Sequence, residues 1–170
     1  MELTETELVN ACLLNDRKAQ CLLYERYKRA MVTKAFRILN DYDLANDALQ
    51  DAFVEVFRDL KNFKFQSTLG AWIKIIVLRN ALKIQRFEAK FETFQDIHDQ
   101  EIYFSDELTG EVLDKAIRSL PDACRAVFLL IEVEGFQHKE VAEMLEISEG
   151  TSKSQLNYAK KLLQKRLTFF

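Results

Sequence analysis

GFQHKEVAEMLEISEGTSKSQLNYAKKLL, residues 135–163, holds two short helical patterns either side of a three-residue turn. In the first pattern Val141, Ala142 and Leu145 recur at helical spacing, and small Ala142 lets a second helix approach closely. Glu146, Ile147 and Ser148 form the turn, with Ile147 directed inward and Ser148 placed to cap the next helix. In the second pattern Ser152, Leu156, Ala159 and Leu163 share one face, spaced four, three and four. The opposite face carries Ser154, Asn157, Tyr158 and Lys161, with Lys153 at its edge. This is a helix-turn-helix pattern whose second helix offers polar and basic groups, as reading the major groove requires. A helical hairpin with no ligand has a similar apolar pattern. The five Lys or Arg residues and no acid between Thr151 and Phe170 favour DNA.

Outside this stretch, 170 residues allow one large domain or two small ones. Four glycines and one proline leave few helix breakers, and 48% hydrophobic residues suffice for packed cores, so the chain reads as all-α. Charge is unevenly placed. Lys61 to Lys90 holds seven bases and one acid, whereas Phe91 to Asp122 holds nine acids and two bases. Two basic zones divided by an acidic one predict two nucleic-acid contacts and a linker. The net charge of −3 argues against a protein that binds DNA unaided, since phosphate neutralisation supplies most non-specific affinity.

The N-terminal part predicts four helices. Thr4 and Glu7 suit a capping box for a first helix reaching about Leu14, broken at Asn15-Asp16. Leu23, Tyr27, Ala30, Met31, Ala35, Ile38 and Leu39 stripe a long second helix. After a turn at 40–43, Ala45, Ala48, Leu49, Ala52, Phe53, Val56, Phe57 and Leu60 line a third. Its other side shows Asp47, Gln50, Asp51 and Glu55, which is also what an ordinary solvated face looks like. Residues 61–68 form a loop mixing Phe63 and Phe65 with Lys61 and Lys64, and Ser67 is placed to cap a fourth helix through Trp72 to Phe87. Basic residues Lys74, Arg79, Lys83 and Arg86 decorate that helix. Aromatics among bases suit single-stranded nucleic acid, where unpaired bases stack. Phe63 and Trp72 suit a core equally well.

From Glu88 to Asp106 the pattern dissolves into an acidic linker. Leu108, Val112, Leu113, Ala116, Ile117 and Leu120 begin a second apolar stripe, and Pro121 suits the first position of a helix that Gly135 ends. The expected architecture is two small helical domains, 1–88 and 108–170, joined by a linker at 89–107, the second a four-helix helix-turn-helix unit.

Metal and cofactor chemistry find no signature. Cys12, Cys21 and Cys124 lack paired short spacing and read as reduced thiols. His98 and His138 share no ligand spacing, and no glycine-rich phosphate loop is present, which speaks against an enzyme. His138 with Lys139 suits a phosphate contact better than acid–base work. No apolar run approaches a membrane span, and a cytoplasmic location is expected.

Leu-Pro-Asp-Ala-Cys-Arg-Ala-Val-Phe (120–128), Glu-Gly-Phe-Gln-His-Lys-Glu-Val-Ala-Glu (134–143) and Ile-Ser-Glu-Gly-Thr-Ser-Lys-Ser-Gln-Leu (147–156) resemble the promoter-reading fourth region of extracytoplasmic-function sigma factors. Asp-Ala-Leu-Gln-Asp-Ala-Phe-Val-Glu-Val-Phe (47–57) and Ala-Trp-Ile (71–73) resemble that family's second region. The resemblance spans about residues 8 to 166 and implies a non-catalytic transcription initiation factor that binds core RNA polymerase and promoter DNA. By position it implies polymerase docking through Asp47, Gln50, Asp51 and Phe53. It implies capture of the unpaired downstream element by Phe63, Lys64, Gln66, Ser67, Trp72, Lys74, Arg79 and Lys83. The upstream duplex element would fall to His138, Lys139, Thr151, Lys153, Ser154, Asn157, Tyr158 and Lys161. Family members are commonly held inactive by an anti-sigma factor, a further implied partner.

Several positions depart from the common pattern. Phe65 stands where glycine is frequent, Ile75 where arginine is, and Arg79 where asparagine is. Glu146 replaces the usual turn glycine, and a left-handed backbone there costs roughly 1–2 kcal/mol. Ser152 and Gln155 replace a common apolar and a common basic residue. A different class of protein, a stand-alone helix-turn-helix regulator with a ligand-sensing or dimerising N-terminal domain, would share the C-terminal pattern.

Overall fold

The computed structural model describes residues 3–89 and 110–167, and all regular structure in them is helical. The stretch read as an acidic linker, with His98, and Leu108 after it lie outside the described residues apart from Glu88 and Ala89, which are the end of a helix. The chain divides into two compact units, Met1–Ile84 and Gln85–Phe170.

Four helices build the N-terminal unit: α1 (Glu5–Leu13), α2 (Arg17–Leu39), α3 (Tyr42–Asp59) and α4 (Leu69–Ala89), the last of which runs past the division at Ile84. Each boundary has a local cause. Thr4 and Glu7 make the reciprocal capping box, with Thr4 N donating to Glu7 Oε2 at 2.8 Å. Asn15 and Asn40 take positive φ and stop the chain from continuing as helix, while Asp16 caps α2 and Asp41 caps α3. The second turn is thus shorter than 40–43, because Asp41 caps and Tyr42 is already helical.

α2 and α3 form the main antiparallel pair. The α3 stripe buries as its spacing predicts, through Ala45, Ala48, Leu49, Ala52, Phe53 and Val56. On α2, Ala19, Leu23, Met31, Ala35 and Ile38 are buried, while Ala30 is exposed. Ala30 neighbours the stripe in sequence, but the angular step to Met31 carries it off the contact face. Aromatic rings tie the pair, Tyr24 edge-on to Phe53 at 4.9 Å and Phe36 stacked on Tyr42 at 4.1 Å.

The apolar run 73–78 is helical, as its length predicts. Its cap is Thr68, whose hydroxyl accepts from Ala71 N at 3.2 Å, while the Ser67 hydroxyl only donates to the Thr68 carbonyl. A second donor at this helix start is satisfied from afar, Leu69 N donating to Glu5 Oε1 of α1 at 2.8 Å. One carboxylate thus ties the first helix to the start of the fourth.

The C-terminal unit contains α5 (Gly110–Arg118), α6 (Asp122–Phe128), α7 (His138–Leu145) and α8 (Glu149–Leu167). Pro121 precedes α6 as its cap, with φ −54° and ψ 144°, and does not occupy the first helical position. Its carbonyl accepts the first helical bond from Arg125 N at 2.8 Å. After Phe128 the helix widens into a π turn over Leu129–Val133, closed by Glu134 N donating to Leu129 O at 2.9 Å. Gly135, at φ +79°, then ends it as the sequence predicts. Ala116, Leu120, Cys124, Ala159 and Leu163 form one buried cluster with Ile117 and Phe128 against it, whereas Leu113 is exposed.

Candidate nucleic-acid interface

The helix-turn-helix is α7, the turn 146–148, and α8. α7 opens with Gln137 N donating to Glu140 Oε2 at 2.7 Å. It closes on Glu146 at φ 56° and ψ 44°, and Ile147 N reaches back to Ala142 O at 3.0 Å. Ile147 is half-buried. Ser148 caps α8, its hydroxyl accepting from Thr151 N at 2.9 Å. Ser152, Leu156, Ala159 and Leu163 are the buried face of α8.

That burial turns Lys153, Ser154, Asn157, Tyr158 and Lys161 to solvent, with Thr151 also exposed. Two hydroxyls in this set already have partners, Ser154 donating to Gly150 O at 3.0 Å and Thr151 lying 2.9 Å from Ser148 Oγ. Gly150 sits among these residues with no side chain, which leaves room for a close approach. Lys160 is held by Glu132 at 2.6 Å, and Arg166 Nη1 donates to Ser119 Oγ at 2.7 Å. So the basic excess of this helix is not all free to meet DNA. His138 starts α7 half-buried, Nδ1 2.9 Å from Ser152 Oγ, while Lys139 beside it is exposed.

One buried cation escaped the sequence reading. Arg125 is buried at the α5–α6 corner, where its guanidinium donates to Leu120 O at 2.8 Å and Asp122 Oδ1 at 2.6 Å. It satisfies carbonyls left open where α5 ends. Its position one residue from Cys124 and Ala126, both buried, was the available signal.

In the N-terminal unit the stretch 61–68, expected as a loop, begins inside a short 3₁₀ turn, Leu60–Asn62. Phe63 is only 7% exposed and lies against Phe65 at 4.7 Å and Trp72 at 5.3 Å between ring centroids. It is a core residue, and the expectation that it offers a free ring is corrected. Phe65, 48% exposed at φ 56°, is the ring that the loop presents. A bulky residue in left-handed backbone is strained, and such strain concentrates at functional sites. Lys64, Gln66 and Ser67 beside Phe65 in sequence are exposed, as are Arg79 and Lys83 on α4, whereas Trp72 and Lys74 are half-buried.

On α3, Asp47, Gln50 and Asp51 are exposed, but Phe53 is 3% exposed, packed on Tyr24 and Phe57. A docking role for its side chain is corrected, because α3 turns that position inward. The exposed neighbour at helical spacing is Val54, at 69%. Glu55 is half-buried and accepts from Asn80 Nδ2 at 3.1 Å, so it belongs to the α3–α4 contact and not to the solvated face.

Among the described residues no group of three or more His, Cys, Asp or Glu could hold a metal ion, and no helix is long and apolar enough to cross a membrane. Two family models match the chain in order, sigma-70 region 2 over residues 23–91 and sigma-70 region 4 over 110–163. The chain belongs to the extracytoplasmic-function sigma factors. Among similar relatives, an RNA polymerase sigma-E factor of this family from Haemophilus influenzae is 24% identical, with 98% of this chain and 96% of the relative covered. Sigma factor SigM of Mycobacterium tuberculosis is 26% identical, with 99% and 87% covered. Two solved structures share the fold. The sigma factor RpoE, in complex with the anti-sigma factor NepR from Bartonella quintana, has a TM-score of 0.57 at 22% identity, covering 82% of this chain and 91% of that one. CnrH, in complex with the cytosolic domain of CnrY, has a TM-score of 0.55 at 20% identity, covering 96% and 97%. For a sigma factor of this family, the helix-turn-helix therefore lies in the region 4 match and the aromatic loop in the region 2 match.

Proposed function

We infer that the protein is an alternative sigma factor that binds core RNA polymerase and directs initiation at its own promoters. The observation that carries this is the pairing, on one chain, of a region 2 match and a region 4 match in the order that initiation needs. Residues 1–88 hold the polymerase-docking and strand-capturing parts, 89–107 link, and 108–170 read the upstream duplex element. Docking uses the α3 row Asp47, Gln50 and Asp51, extended by Val54. An acidic row with one exposed apolar residue suits a basic partner surface better than it suits DNA.

Phe65 takes over from Phe63 as the stacking residue for an unpaired base. Trp72 backs the pair, and Lys64, Gln66, Ser67, Lys74, Arg79 and Lys83 serve the strand. On α8, Lys153, Asn157, Tyr158 and Lys161 reach base edges and phosphates, Thr151 and Ser154 lie alongside, and His138 and Lys139 meet the backbone. The net charge of −3 fits this division of labour, because polymerase lends the affinity that the chain lacks. The protein needs no cofactor, catalyses no reaction of its own and works in the cytoplasm. An anti-sigma factor completes the partners, as one occurs with the similar sigma factor RpoE of known structure.

The test is promoter selection from random DNA by core polymerase with and without this protein. A sequence enriched only with the protein supports the reading, and no enrichment overturns it. Pull-down of core polymerase separates it from a stand-alone regulator, which has no reason to bind the enzyme.

A further inference from the structure

We propose that Ser152 is a positioning residue for DNA-backbone contact: from inside the recognition helix it holds the His138 ring so that Nε2–H faces a DNA phosphate. The proposal rests on reading α7 and α8 as the duplex-binding motif. Its physical basis is a count of protons. Ser152 is 0% exposed, and His138 Nδ1, 2.9 Å away, is the one partner of its side chain among the described residues. Ser154 shows the other choice open to a helical serine, turning back to the carbonyl four residues earlier at 3.0 Å. Ser152 turns instead across the motif, to the other helix.

A serine hydroxyl carries one proton. If Nδ1 held the ring proton and donated it, the serine proton would lie in the interior without an acceptor. That arrangement forfeits a hydrogen bond to water and gains none in return. If the serine donates to Nδ1, both groups are satisfied, and the neutral ring carries its proton on Nε2. His138 is half-buried and is the first residue of α7, beside exposed Lys139. In a helix-turn-helix the first helix crosses the DNA backbone, so Nε2–H becomes an oriented donor for a phosphate oxygen. This explains a hydroxyl at a buried position that a purely apolar seam would fill. An apolar residue there would pack equally well and leave the ring without an anchor.

Two measurements on the full-length protein test it. Nitrogen-15 NMR of the imidazole at neutral pH should show one tautomer, Nε2–H, with Nδ1 as a hydrogen-bonded acceptor. Ser152→Val should move the Nδ1 resonance to the unbonded position, and Ser152→Thr should restore it. A proton on Nδ1 in the wild type, or no response to Ser152→Val, overturns the proposal. The second measurement is closed-complex affinity of the holoenzyme on the promoter fragment recovered by selection. His138→Ala and Ser152→Val should each weaken it, His138→Ala by roughly ten- to hundred-fold, the loss of one hydrogen bond to an ionised phosphate. The double variant should lose no more than His138→Ala alone. The slope of log affinity against log salt should stay unchanged, because a neutral donor displaces no counterion, whereas Lys139→Ala should lower it by about 0.9. Wild-type affinity in His138→Ala, or a reduced salt slope, overturns the proposal. If Ser152→Val fails to fold, the wild-type tautomer and His138→Ala still decide. Failure to recover any promoter would strike the sigma-factor reading, with the tautomer result standing apart from it.

Discussion

Phe63 and Phe65 stand two positions apart, and their environments assign them opposite jobs. Phe63 is buried against Trp72, so Phe63→Ala should cost about 3 kcal/mol of stability through the cavity it leaves. A chemical denaturation curve checks this. Phe65→Gly relieves the positive φ while losing the ring's contact with Phe63, and stability should change by less than about 1 kcal/mol. Its effect should fall on promoter opening, where losing a stacked base costs about 1–3 kcal/mol. Permanganate footprinting should show weaker melting in Phe65→Gly at unchanged closed-complex binding. Normal melting would return Phe65 to a surface residue. The cysteines sort in the same way. Burial pushes the Cys12 and Cys124 thiols up, with the Asp16 charge adding to the first, and the Cys124 thiol lies 2.7 Å from Gln155 Oε1. Cys21 is exposed. Alkylation of the native protein followed by mass mapping should therefore label Cys21 first, with Cys12 and Cys124 reacting only on unfolding.

At the scale of elements, the turn of the helix-turn-helix stores strain that glycine would not. Glu146 sits at φ 56°, in the closing motif of α7, and its side chain is exposed. Glu146→Gly should stabilise the C-terminal unit by about 0.5–1 kcal/mol, the left-handed penalty less the added freedom of the unfolded chain. Thermal unfolding checks it, and a lower melting temperature would mean that the Glu146 side chain contributes more than its backbone costs. On α3 the acidic row is separable from the fold. Asp51→Lys should leave stability within about 0.5 kcal/mol, since the residue is exposed. Competition for core polymerase should nevertheless show weakened binding, and unchanged affinity would remove the docking role from this face.

For the whole molecule, charge and family order act together. With a net charge of −3, the chain alone should bind duplex DNA weakly and lose that binding as salt rises. Addition of core polymerase should raise promoter affinity by orders of magnitude, as gel-shift titrations of the two mixtures would show. Tight, sequence-specific binding by the free chain would instead favour the stand-alone regulator.

The sequence by itself determined the helical class, the order of the parts and the buried faces of α3 and α8. Those depend on local quantities: a period of 3.6, side chains that cap, and residues that tolerate left-handed backbone. Ser152, Leu156, Ala159 and Leu163 could be placed on one side by counting alone. Only the tertiary structure decided what each side chain meets. Spacing alone put Phe53 on the α3 stripe, but that it meets the Tyr24 ring there depends on where α2 lies. Phe63 and Phe65 look alike in a loop until Trp72 covers one of them. Thr68 rather than Ser67 caps α4, and Leu69 N beside it donates to Glu5, sixty-four residues before Leu69, a pairing that no local rule supplies. Ser152 and His138 are fourteen residues apart, and no spacing rule joins a buried serine to a histidine on another helix. Packing brings such partners together, and the cost of a buried proton without an acceptor then fixes their chemistry.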